Sequence, residues 1–240
     1  MNPDTTNELI RALTVFGYGA LAFAYTAFLA LWVARRVRPA VPDERWLPLA
    51  AAAAVVTVAL TATVTELWAQ AALAAFIPIL IVAASIDSKT KRIPNIYTIH
   101  GLCVAGAVAG AAALTGSVEM VGTAATAGII TFVAFLALNI GSRNGFGMGD
   151  VKLGAVMVFI FAAVIAPAWS GSGLALIDNL MLATLCTAWA FLSFLIGGVW
   201  ILVSARRGRS GVPFGPFMAA AWFIAVAGAP LIADLMPNLS

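Results

Sequence analysis

The sequence predicts an all-α, polytopic membrane protein with about eight transmembrane helices and both termini on the extracytoplasmic side. Three observations carry that expectation. Of 240 residues 62% are hydrophobic and only 10% charged, too few charges to cover the surface of a soluble domain. The apolar residues come in blocks near the ~20 needed to cross a bilayer as helix, continuous rather than alternating as a strand barrel requires. The basic residues fall to one side once the blocks are laid out.

The first block is 12–34. Asp4 and Glu8 precede it in place of a basic stretch, and it is too long for the apolar part of a signal peptide, so none is expected. It ends at Arg35-Arg36-Val37-Arg38, a stop-transfer pattern. Blocks 47–68 and 70–86 follow, divided only by Glu66, Trp68 and Gln70. Then come 96–116, 120–141, 151–169, 177–204 and 215–236; the seventh is long enough to tilt. With the N-terminus outside, twelve of the 13 basic residues lie in cytoplasmic loops and only Arg11 lies outside. The expected organisation is an N-terminal helix pair, 1–69, and a six-helix core, 70–240. Gly106 and Gly110 form a GxxxG suited to packing within the chain. Cys103 and Cys186 form no CxxC and read as packing residues, not zinc ligands. The net charge of +3 is spread over loops and gives no nucleic-acid surface.

Two aspartates bound the apolar blocks. Asp87 closes the third and Asp150 opens the sixth, and the charge count puts both on the cytoplasmic side. Ionisable groups at such positions cost free energy unless paired or wetted, which makes them functional candidates. Two carboxylates brought together share one proton and act as acid and base at once.

Three segments surround them. In Asp87-Ser88-Lys89-Thr90-Lys91-Arg92-Ile93-Pro94-Asn95 the plain reading is a basic loop, with Pro94 and Asn95 opening the next helix. In Gly145-Phe146-Gly147-Met148-Gly149-Asp150-Val151-Lys152 the plain reading is an Asp150 N-cap. The functional reading is that Gly147 and Gly149 let a substrate backbone pass close to Asp150. Lys152 either favours an ionised Asp150, meets a substrate acid or snorkels to the interface. The spacing fits neither a dinucleotide nor a P-loop fingerprint. In Pro213-Phe214-Gly215-Pro216 two prolines distort the helix entry and leave carbonyls for an extended peptide, or simply punctuate the helix start.

Together, Asp87…Ile93-Pro94-Asn95, Gly147-Met148-Gly149-Asp150-Val151-Lys152-Leu153 and Pro213-Phe214-Gly215-Pro216 resemble the signature segments of type IV prepilin leader peptidases, which are GxGD-type intramembrane aspartyl proteases. The resemblance covers about residues 70–236. It implies removal of the basic leader from prepilin or pseudopilin precursors at the cytoplasmic face of a bacterial inner membrane, after a glycine and just before the precursor's apolar helix. Asp87 and Asp150 are then the catalytic pair, and Gly147, Gly149, Lys152, Pro94, Asn95, Pro213, Phe214, Gly215 and Pro216 bind substrate or shape the site. Longer members carry a four-cysteine zinc motif linked to N-methylation after the first span. Residues 35–46 contain no cysteine, so this is a short form, and methyltransferase activity is not expected.

The implied mechanism is hydrolysis without an acyl-enzyme: one aspartate activates water, the other polarises the carbonyl, and the pair titrates as a unit. No cofactor is expected. Partners are the precursor and a bilayer with anionic headgroups, which Lys89, Lys91 and Arg92 would meet; the oligomeric state is open. His100, the only histidine, lies within the fourth block without a GxSxG partner and reads as a hydrogen-bonded packing residue. The alternative is a transporter or channel using the two aspartates for protons or cations, although its site would be expected nearer the midplane.

Overall fold

The computed structural model describes residues 3–33, 46–64, 66–115, 118–141, 147–169, most of 188–199, and 213–235. Among these every regular element is helical. Helix α1 (Pro3–Phe28) ends in a π-helical turn, Leu29–Val33. It is followed by α2 (Trp46–Thr61), α3 (Leu67–Thr90), α4 (Asn95–Leu114), α5 (Val118–Gly141) and α6 (Met148–Trp169). The short apolar helix α7 (Ala188–Gly197) and α8 (Gly215–Leu235) complete the order. The loop 35–45, Arg143, Cys186, Arg206, Arg207, Arg209 and most of the expected block 177–204 lie outside the described residues.

Among the described residues five helices are long and apolar enough to cross a membrane: α1 with its π turn, α3, α4, α5 and α6. The expected count of eight therefore stands at five on length and composition. Helix α2 has 16 residues, which at 1.5 Å per residue is about 24 Å, short of a ~30 Å hydrocarbon core. The apolar stretches of α3 and α6 are each 72% buried, against 17% for α5. Asp87 and Asp150 thus ride on the two most enclosed spans, while α5 turns Ile129, Ile130 and Val133 outward.

The chain divides into two compact units, Met1–Val82 and Ala83–Ser240. In the first, α1 packs along α2. A Cβ on Gly19 would lie 2.6 Å from Val58 Cγ2, so the helices meet there only because residue 19 lacks one. Arg11 donates to the Ala62 carbonyl at 3.2 Å, covering an end-of-helix acceptor of α2. The break between the second and third blocks falls at 62–66, earlier than expected from Glu66 and Gln70. Gln70 is not a loop residue: it is buried inside α3 and donates to the Val64 carbonyl at 2.7 Å.

In the second unit α6 is the shared partner of α4, α5 and α8. Two indoles fix this packing. Trp222 Nε1 donates to the Met157 carbonyl at 2.9 Å, and Trp189 Nε1 to the Met218 carbonyl at 3.3 Å. Each ring buries a large apolar surface while its single donor is satisfied. Trp189 also stacks on Phe135, with centroids 6.0 Å apart. Asp150, Leu153, Gly154 and Met157 share one face of α6 at helical spacing. Gly154 on this face lies against Phe135 of α5 and Met218 of α8, and the Met157 carbonyl meets Trp222 of α8.

Candidate active site

Asp87 sits in the last turn of α3 and is 2% exposed. The helix closes where the Lys91 N–H donates to the Asp87 carbonyl at 2.8 Å. Lys91 itself adopts φ 55°, the left-handed conformation common just past helix ends. The Thr90 hydroxyl lies within hydrogen-bonding distance of both the Ile86 and Arg92 carbonyls, at 3.0 and 2.9 Å. The reversal is therefore tightly held. Pro94 (φ −63°, ψ 139°) stands at the N-cap of α4 and Asn95 is its first residue, as the sequence suggested.

The carboxylate of Asp87 meets the start of α8. The Gly215 N–H donates to Asp87 Oδ2 at 2.8 Å in a buried bond across 128 residues of sequence. Helix N-termini carry unsatisfied donors and partial positive charge, so an anionic side chain suits this position. Within this segment the Phe214 carbonyl accepts from the Phe217 and Met218 amides, both at 3.1 Å, and so is not left over for an extended peptide. Pro213 and Pro216 flank the Gly215 donor aimed at Asp87.

Asp150 lies in the first turn of α6. The helix begins at Met148, so Asp150 is its third residue rather than its N-cap. From there the carboxylate reaches back to the Gly147 N–H, the reciprocal contact of a capping box. A Cβ on Gly147 would stand 2.9 Å from Asp150 Oδ2. Asp150 is 8% exposed, and its Oδ1 is buried without a hydrogen-bond partner among the described residues. The Asp150 carboxyl feels the charge of Asp87.

One residue that sequence reasoning left out of the site joins these parts. Ile93 is 8% exposed. A Cβ on Gly149 would lie 2.9 Å from the Ile93 carbonyl oxygen and 3.0 Å from its Cβ. A Cβ on Gly215 would lie 3.3 Å from Ile93 Cδ1 and 3.0 Å from Asp87 Oδ2. Ile93 is thus wedged between the starts of α6 and α8, and a glycine faces it on each side. Gly149 thus has a packing role against Ile93, whereas Gly147 is exposed. The signal was present in the sequence: Ile93 is the lone apolar residue between Asp87 and Pro94, in a turn otherwise basic and polar.

Lys152 is turned elsewhere. Its Nζ donates to Asn95 Oδ1 at 3.4 Å rather than to Asp150. His100 is half-buried, with Nδ1 2.8 Å from the Ile96 carbonyl, as a packing residue would be.

Backbone amides at two helix starts face two buried carboxyls that influence one another electrostatically. Such a pair can deprotonate water on one side and protonate an oxygen on the other. A model of the type IV leader peptidase family matches residues 74–203, more than half of the chain. The match includes Asp87, Ile93, Pro94, Asn95 and Gly147 through Lys152, and ends before Pro213–Pro216. No curated protein and no solved structure matches the chain significantly.

Proposed function

The chain belongs to the type IV leader peptidase family, and from that premise we propose that it is an aspartic endopeptidase. Its substrates are prepilin- or pseudopilin-like precursors, whose basic leader it removes at the cytoplasmic face of a bacterial inner membrane. The observation that carries this reading is the meeting of Asp87 and Asp150 through Gly215, Ile93 and Gly149. The transporter alternative has no observation in its favour.

The hydrogen bonds divide the two roles. Asp87 accepts a buried backbone N–H bond from Gly215, and such a donor stabilises a charged acceptor more than a neutral one. Among the described residues Asp150 Oδ1 accepts none, and a buried oxygen without a donor is better accommodated as a carboxylic acid. Asp87 is then the base that takes a proton from water as the water oxygen bonds to the scissile carbonyl carbon. Asp150 gives its proton to the carbonyl oxygen, yielding a neutral gem-diol. Collapse breaks the C–N bond: the proton on Asp87 goes to the leaving amine, and a gem-diol hydroxyl returns its proton to Asp150. The absence of cysteine in 35–46 supports peptidase activity without methyl transfer.

Leader cleavage tests this. The protein is co-expressed with a precursor carrying a basic leader and an apolar helix, as wild type, Asp87→Asn and Asp150→Asn, and the precursor's mass is followed. Cleavage by wild type alone supports the pair. Cleavage persisting in either variant removes that aspartate from the mechanism.

A further inference from the structure

Helix α6 has a second face, turned away from Asp150. Lys152, Ala155, Val156 and Phe159 occur at i, i+3, i+4 and i+7 and so line one stripe. The last three form part of an apolar groove of about 450 Å³ among α4, α5 and α6. Leu102 and Gly106 of α4 line it, with Ile129 of α5 opposite. On α4, Asn95, Leu102 and Gly106 share a stripe at i, i+7 and i+11. The two stripes therefore lead back to the same polar pair, Lys152 and Asn95, hydrogen-bonded at 3.4 Å where both helices begin. The groove is open at its rim, since Leu102 and Ile129 are 56% and 64% exposed.

We propose that this groove and the Lys152–Asn95 pair together form a binding site for one anionic glycerophospholipid. Its phosphate lies on Lys152 and Asn95, and an acyl chain lies between α4 and α5. Charge complementarity and length favour this occupant. The cation stands at the end of the apolar spans, where headgroups lie, and Ala155 to Phe159 begin about 5 Å further along α6 at 1.5 Å per residue. The inference does not depend on the protease reading, because Asp150 lies on the opposite face of α6.

Native mass spectrometry of the full chain, exchanged into detergent with equal phosphatidylglycerol and phosphatidylcholine, tests it. Wild type is expected to retain one phospholipid, with phosphatidylglycerol preferred about fivefold, the effect of one interfacial lysine. Lys152→Gln brings that preference near parity while leaving lipid bound. A Cβ at Gly106 meets nothing within 4 Å, so Gly106→Leu fills the groove and displaces the lipid, whereas Gly106→Ala retains it. Leu102→Trp, at the exposed rim, gives the same displacement should Gly106→Leu fold poorly. Undiminished lipid in both filling variants, or an unchanged preference in Lys152→Gln, overturns the proposal. So does a photo-crosslinker at Ile129 that captures the precursor's helix in place of lipid.

Discussion

The contact between Gly215 and Asp87 can be broken by a single methyl group. In Gly215→Ala the new Cβ would stand 3.0 Å from Asp87 Oδ2, 3.2 Å from Asp87 Cβ and 3.3 Å from Ile93 Cδ1. All three are tighter than ordinary carbon contacts of about 3.5–4.0 Å, so a shift of a few tenths of an ångström is forced. The side chain of Asp87 yields more easily than two packed backbones, and its 2.8 Å bond from the Gly215 amide lengthens. A hydrogen bond to a charged group contributes about 1.5–3 kcal/mol. At 1.36 kcal/mol per decade that corresponds to about a 10- to 100-fold loss in kcat. KM should change little, because the bond orients the base and does not touch the precursor. The assay is single-turnover and steady-state cleavage of a purified precursor in proteoliposomes. Gly228→Ala is the control: it lies on the same helix and its added Cβ meets nothing within 4 Å. A kcat for Gly215→Ala within twofold of wild type would refute the orienting role of this bond, as would an equal loss in Gly228→Ala.

The other expected outcomes concern the same framework. Gly149→Ala drives a Cβ to 2.9 Å from the Ile93 carbonyl oxygen, which as backbone gives way poorly; overpacking of about 1–3 kcal/mol should lower the thermal unfolding midpoint in detergent. Lys91→Gly relieves a left-handed φ of 55° and should stabilise by about 1 kcal/mol with kcat unchanged; a lower midpoint would mean that the lysine side chain outweighs its backbone cost. Ile93→Ala removes the wedge between α6 and α8 and should lower kcat more than it raises KM, with partial recovery in Ile93→Val. Since one proton is shared by the pair, kcat/KM should be bell-shaped in pH, and a profile with a single limb would exclude paired acid and base roles.

The parts legible in the sequence were those with a local cause. Continuous apolar blocks gave the bounds of α4, α5, α6 and α8 to within a few residues, and the motif segments drew attention to Asp87, Asp150 and Gly215, which the fold brings near one another. Non-local contacts leave no such period. Gln70 read as a break because it is polar, yet the Val64 carbonyl lets it sit buried in a helix. Asp150 read as an N-cap, yet Gly147 supplies the turn before it and moves the helix start back. Lys152 was weighed against Asp150, two residues away. Successive helix positions point in different directions, and its partner is Asn95, 57 residues earlier. That Gly149 also packs against Ile93 was not legible, because nothing in a single chain shows which neighbour occupies the place of the missing side chain.

The span of the Asp87–Gly215 bond also bears on when the enzyme becomes active. The donor that holds Asp87 lies 128 residues downstream of it, so a ribosome that has just finished α6 has delivered both carboxylates and not yet the amide that orients one of them. A partly synthesised chain would then carry an unarmed pair, and precursors inserted nearby would be safe from it until α8 joins the bundle. Chains shortened ahead of residue 215 should insert and still fail to cleave, whereas α8 supplied as a separate polypeptide should restore them.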